Sequence, residues 1–280
     1  MAADPLRATW DDALAPMPPG PLHWLRQGAL EVALAPEAGG RLAQIRFAGV
    51  EWLLGHEEEP ATIAWGCYPM VPWAGRVRAG RFDVDGRTYR LPRNFGAHAI
   101  HGVGFSRRWN VDTLGPSHAT LSLALPRDGY WPFGGVARQS ATLGTDTLRL
   151  VLSVEADDAA MPAVLGWHPW FRKPEQVLFT PEAMYPRDDA EMATLPLVPP
   201  GPGPWDDCFI SHDDIVLERE HQRLHLRADT SHWVVYDGAP VATCVEPQTG
   251  PPDAFNLAPH VLAPGQRLDL TFDLAWGLVT

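Results

Sequence analysis

The chain has 280 residues, a formal charge of −12 at neutral pH and a hydrophobic content of 45%. That apolar content argues against disorder, and the acidic balance opposes nucleic acid and anionic membrane surfaces as partners. No apolar run approaches the ~20 residues of a membrane-spanning helix, and the N-terminal stretch lacks an apolar signal region, so a cytoplasmic location is the default expectation.

Cys67, Cys208 and Cys244 are far apart, odd in number and form no CxxC pair. Neither a disulfide framework nor a zinc knuckle is suggested, and reduced, buried thiols are expected. The 29 prolines suit turns between strands. The 12 tryptophans fit sugar recognition, where an indole face meets the C–H face of a pyranose, and fit a bulky core equally well.

In chain order, residues 1–28 are polar and proline-rich and predict an irregular arm. Leu30, Val32 and Leu34 then alternate with Glu31 and Ala33, the period of a half-buried strand. Gly39-Gly40 turns the chain into a second run, 42–47. Asp85-Gly86 between 82–84 and 88–91 is a strong hairpin signal. Strand-length runs follow at 109–113, 119–125, 136–143 and 148–154, the last two joined at Thr145-Asp146. The proline-rich 195–204 stretch predicts a long surface loop, because short strands resume at 215–217, 224–226, 233–236, 241–245 and 268–274. No segment carries a sustained helical apolar face. The fold class predicted is therefore mainly β and antiparallel, with few or no long helices and a single domain over 1–280.

Candidate chemistry gathers at strand ends and in glycine-broken loops. His98 and His101 lie in Asn94–Trp109, where imidazole can exchange protons near neutrality and Gly96, Gly102 and Gly104 free the backbone. Arg76 and Arg78 follow a Trp-Ala-Gly turn. His168 stands in Gly-Trp-His-Pro-Trp-Phe, and Glu246 ends an apolar run before Pro247. A carboxylate there is either a solvated strand end or a general base of raised pKa. No nucleophile elbow, P-loop or dinucleotide fingerprint is present, so the residues permit proton transfer without a covalent intermediate. A metal enzyme using His98, His101 and a carboxylate is disfavoured, since HxxH on a glycine loop lacks the helical spacing of the zincins.

Five pieces carry a resemblance in order: Gly75-Arg76-Val77 with Gly80-Arg81-Phe82, Asn94 with His98 to Gly102, Gly166 to Phe171, Asp206 to Phe209, and Cys244 to Gln248. Together they resemble the aldose 1-epimerases, the galactose mutarotase-like family. The resemblance implies an antiparallel β-supersandwich, a small-molecule sugar as substrate, no cofactor and no metal, and a monomer or homodimer. It implies Glu246 as the base at the C1 hydroxyl and His168 as the acid at the ring oxygen. Arg76, His101, Asp206, Trp170 and Asn94 would bind the sugar, with Asp206 preferred over Asp207. Where the family often has Asn after His-Pro-aromatic-Phe, this chain has Arg172 and then Lys173. A neutral aldohexose is the expected substrate. The alternatives are an anionic hexose or a non-catalytic carbohydrate-binding protein.

Overall fold

Two large antiparallel sheets carry the chain in a computed structural model that describes residues 12–279. The larger sheet runs, in spatial order, His23–Gln27, Leu30–Ala35, Arg41–Phe47, Cys67–Met70, Gly166–Arg172, Ala242–Gln248, His232–Tyr236, Asp206–Ile210 and Ala183–Met184, with Val50–Glu51 attached to Arg41–Phe47. The second runs Asn110–Leu114, His118–Ala124, Val136–Leu143, Thr147–Glu155, Arg267–Leu278, Gln222–Ala228, Ile215–Arg219 and Gln176–Leu178. One cluster of buried side chains joins them, from Val32, Ile45 and Phe171 on one sheet to Leu121, Leu152 and Phe272 on the other. The α-helix among the described residues is the single turn Ala254–Leu257, and no described helix is long and apolar enough to cross a membrane.

Local chemistry explains the turns. Asp85 and Gly86 both take positive φ (49° and 73°) between Arg81–Val84 and Arg87–Arg90, the mirror-image turn that matches strand twist. Gly39 lies so close to the backbone that a Cβ there would sit 1.9 Å from the Phe105 carbonyl oxygen. The 195–204 stretch contains no buried residue, consistent with a surface loop.

Two expectations change. The irregular arm is shorter than predicted: within it His23–Gln27 is a regular edge strand paired with Leu30–Ala35, and Ala13 is buried with its N–H on the Asn94 carbonyl. Prolines at 16, 18, 19 and 21 mask that strand because they precede it and leave its own ladder intact. Residues 1–11 lie outside the described residues. The tryptophans serve mainly the core: Trp52, Trp65, Trp109, Trp131, Trp167 and Trp233 have essentially no exposed surface.

The centre of the larger sheet positions the site. Tyr68 pairs with His168, and the register between the next two strands runs from Gly166 opposite Gln248 to Trp170 opposite Cys244. The same register sets His168 opposite Glu246. Because side chains alternate along a strand, His168, Trp170, Glu246 and Gln248 share one face.

Candidate active site

On that face lies a cavity of about 350 Å³, whose wall includes His168, Glu246, His101, Arg76, Trp170 and Asp206. At its base His168 Nε2 stands 3.1 Å from Glu246 Oε1, with both side chains almost wholly buried. Gln248 donates from Nε2 to the other Glu246 oxygen at 3.2 Å. Burial, helped by the Asp206 charge, holds the Glu246 carboxyl well above the usual carboxylate range; the Gln248 hydrogen bond and the Arg76 charge act the other way. Burial also pushes the His168 imidazole down to about 3, opposed by its own backbone and helped by Arg41. Both shifts penalise the charged forms, so burial favours a carboxylic acid against a neutral imidazole over the ion pair.

His101 reaches the cavity through a strained backbone. Its φ is +59°, and Gly102 beside it lies so close to Val71 that a Cβ would meet the Val71 carbonyl oxygen at 2.1 Å. The His101 N–H donates to the Gly75 carbonyl at 3.1 Å, and its ring stands edge-on to His168 with centroids 4.9 Å apart. Desolvation keeps this imidazole well below its ordinary pKa, with His168 and Arg76 adding to the effect. Burial therefore favours the neutral form of His101, whose Nδ1 has no hydrogen-bond partner among the described residues.

At the other end of the cavity Arg76 and Arg187 converge on Asp206. Arg187 Nη1 is 3.2 Å from Asp206 Oδ2, Arg76 Nη2 is 3.7 Å from the same oxygen, and Arg187 Nε is 3.0 Å from Asp207 Oδ1. Burial raises the Asp206 carboxyl while the two guanidinium charges oppose that rise. The result is a wall of fixed donors and acceptors, the equipment for gripping vicinal hydroxyl groups.

The sequence profile of the aldose 1-epimerase family matches residues 21–275. The chain belongs to this family of isomerases. It is 37% identical to the uncharacterized protein YphB of Escherichia coli (strain K12) over 123 residues, which is 42% of this chain and 40% of that protein. It is 25% identical to the uncharacterized protein YihR of the same strain over 251 residues, 78% of this chain and 80% of YihR. Among solved structures, a putative aldose 1-epimerase from Escherichia coli K12 superposes with a TM-score of 0.81 at 21% identity, covering 92% of this chain and 99% of the other. Galactose 1-epimerase from Lactobacillus acidophilus NCFM superposes with a TM-score of 0.77 at 18% identity, covering 90% and 92%. These two likenesses speak to the fold.

In this epimerase fold most of the sequence-predicted site residues meet, while Asn94, His98 and Arg78 do not line the cavity. His168, Glu246, His101, Arg76, Asp206 and Trp170 all line the cavity, and Asp207 lines it too. Asn94 stands off the wall. Its side-chain amide donates to the Ile100 carbonyl at 3.2 Å and accepts the Ile100 N–H at 2.8 Å, so it shapes the loop that presents His101. His98 turns away from His101 and accepts the Ala79 N–H at Nδ1, so the HxxH spacing brings no two ligands together.

Sequence reading missed Arg187, Tyr185 and Glu191, which enter the cavity wall from the 185–193 segment. That segment is charge-dense and turn-rich but matches no motif, and only its fold across the sheet reveals its role. A second omission concerns donor atoms. His168, Cys244 and Glu246 offer ligand atoms within 4.8 Å of one another. A metal there requires the deprotonated thiol and carboxylate, yet burial holds Cys244 and Glu246 well above their ordinary pKa values. A bound cation would itself lower both values, so chelation is the measurement that decides between coordination and proton exchange.

Proposed function

We propose that the chain is a mutarotase that interconverts the α and β anomers of a neutral aldohexose by ring opening and closure. The observation that carries this reading is the buried contact of 3.1 Å between His168 Nε2 and Glu246 Oε1. The C1 hydroxyl and the ring oxygen of a pyranose share one carbon, so two side chains in mutual contact can reach both.

With a sugar bound, the single proton of the pair resides on His168. Glu246 takes the C1 hydroxyl proton as His168 gives its proton to the ring oxygen, and the C1–O5 bond breaks to leave the free aldehyde. That step returns the pair to the neutral acid–imidazole state that burial favours, which assists opening. Rotation about C1–C2 presents the other carbonyl face, and the same transfers run backwards to close the ring. His101 and Arg76 hold the oxygens near C1. Asp206, tied by Arg187, accepts hydroxyl hydrogens further along the sugar.

The occupation of the cations supports a neutral substrate. Arg172 is bound by Glu58 (2.7 Å) and Glu51 (3.2 Å), and Arg78 by Asp188 (2.7 Å). Lys173 donates to the backbone carbonyls of Asp237 and Ala239. Arg76 and Arg187 face the cavity together with Asp206, Asp207 and Glu191, so the wall offers no excess of positive charge. An anionic C6 group would meet carboxylates as closely as guanidinium groups. The test is anomer exchange measured by NMR on glucose and galactose beside glucose 6-phosphate and a sulfonated hexose, with and without EDTA. Faster exchange of the neutral sugars, unchanged by the chelator, is expected. Preference for an anionic sugar overturns the substrate class, and loss of turnover on chelation with recovery on zinc overturns the metal-free mechanism.

A further inference from the structure

A working imidazole is normally oriented by a hydrogen bond from its second nitrogen. His168 lacks one: outside its own residue, Nδ1 meets no hydrogen-bond partner among the described residues. Aromatic rings surround the imidazole instead. Tyr68, directly opposite on the neighbouring strand, stacks on it with centroids 4.7 Å apart and planes 27° from parallel. Trp170, two residues along, stacks at 5.5 Å and 15°. Both outer rings are fixed at their polar ends to one acceptor. The Tyr68 hydroxyl donates to the Ile63 carbonyl at 2.9 Å, and the Trp170 indole N–H donates to the same oxygen at 2.7 Å.

The support continues behind Tyr68. The Arg41 guanidinium lies 5.1 Å from the Tyr68 ring centre and 4.1 Å from that of Trp65. Four backbone carbonyls hold it, those of Ala38, Thr62, Trp65 and Phe105. Arg41 and Tyr68 have no exposed surface, and neither lines the cavity.

We propose that Tyr68 is a positioning residue for His168, its anchored ring fixing the imidazole plane so that Nε2 faces Glu246 and the sugar. A half-turn of the ring about its Cβ–Cγ bond would put the Cε1 carbon where Nε2 stands, 3.1 Å from Glu246 Oε1, and break the geometry on which both proton transfers depend. A displacement of the order of 1 Å from reactive geometry costs roughly 10²-fold in rate. Because Tyr68 stands behind the wall and touches no ligand, its loss should act on kcat and leave KM alone. An ordinary core tyrosine would show neither property; its removal would lower stability and spare the chemistry of the molecules that remain folded.

This inference rests on the mutarotase reading for its kinetic arm only. Tyr68→Leu, checked for native fold by circular dichroism, should lower kcat on the order of 10²-fold. KM should stay within about threefold, the mark of an interaction made in the transition state alone. Tyr68→Phe, which keeps the stacking ring, should recover most of that loss. If Tyr68→Leu does not fold, Tyr68→Met replaces it, since the flexible thioether chain fills irregular space. The second arm needs no turnover: ¹⁵N NMR of the His168 ring should show a single sharp set of ring resonances in the wild type and broadened or doubled resonances, from more than one ring orientation, in the ring-less variant. Wild-type kcat in the ring-less variant overturns the proposal. So does a loss carried by KM, a Tyr68→Phe protein as slow as Tyr68→Leu, or an unchanged ring spectrum. If the wild type turns over no aldose, the mutarotase reading fails and the ring spectra still decide the role of Tyr68.

Discussion

The two sheets differ in how water meets them. In the second sheet Val136–Leu143 alternates buried and exposed residues along almost its whole length, and Arg267–Leu278 does much the same. Its outward positions hold exposed ion pairs such as Arg149 with Asp273 at 2.7 Å. In the larger sheet all seven residues of Ala242–Gln248 and all four of Cys67–Met70 are buried. These central strands have the core on one side and the cavity with its covering loops on the other. A titratable side chain placed there loses its hydration whichever way it points, so its pKa moves. One sheet therefore supplies packing and the other supplies chemistry, and substitutions should separate the two.

The largest expected effect falls on the central strands. Glu246→Gln keeps the shape of the side chain and its contacts with Gln248 and His168 but cannot accept a proton. Loss of a general base typically costs ~10²–10⁴-fold, and kcat should fall by that order. Stability at neutral pH should rise, because Glu246 gives up hydration and takes a proton on burial whereas a neutral amide needs no proton, and the gain should fade as pH falls towards the ordinary carboxylate range. Anomer exchange and urea unfolding on the same preparation check both halves. Near-normal kcat in a folded protein would remove Glu246 from its assigned role.

The second sheet should give the converse. Leu152 is fully buried and pairs with Leu270 across the ladder. Leu152→Ala leaves a cavity in the packed layer and should cost about 2–5 kcal/mol in unfolding free energy. The kcat of the folded fraction should stay within about twofold, because no hydrogen bond or cavity wall is altered. If this substitution slowed turnover as much as it lowered stability, the division between the sheets would not hold.

Much of this division was legible in the sequence because it follows short-range rules. Alternation at 30–34, the Asp85-Gly86 turn and the spacing of strand runs each depend on neighbours a few residues away. His168 and Glu246 stood out because their motifs place polar groups inside apolar runs. What could not be read depends on the fold. Asn94 sits in the same motif as His101, yet its amide closes on Ile100 and stays off the cavity wall. Arg187 belongs to no motif, and its position over Asp206 appears only once the 185–193 segment crosses the sheet. The strand at His23–Gln27 is short and at an edge, where flanking prolines conceal it.

The smallest expected effect is a flat region in the pH profile, and it tests the dry centre most directly. An ordinary carboxylate titrates near 4.5 and an ordinary histidine near 6.5, so a solvated pair would place the acid limb of kcat/KM near 4.5. Burial lowers His168 to about 3 and raises Glu246 well above its ordinary 4.5. Between those limits the pair holds one proton, as acid and imidazole or as carboxylate and imidazolium, and both arrangements have the composition the reaction uses. The direction of each limb follows. As pH falls towards 3 the pair takes up a second proton, Glu246 can no longer act as base, and activity drops. As pH rises past the elevated Glu246 value the pair loses its proton, His168 has none to give, and activity drops again. Since kcat/KM reports the free enzyme, after correction for the uncatalysed rate its acid limb should lie towards 3 and the profile stay level from there up to the raised Glu246 value. An acid limb near 4.5 would mean that water reaches the pair, and the contrast drawn between the two sheets would then fail at its centre.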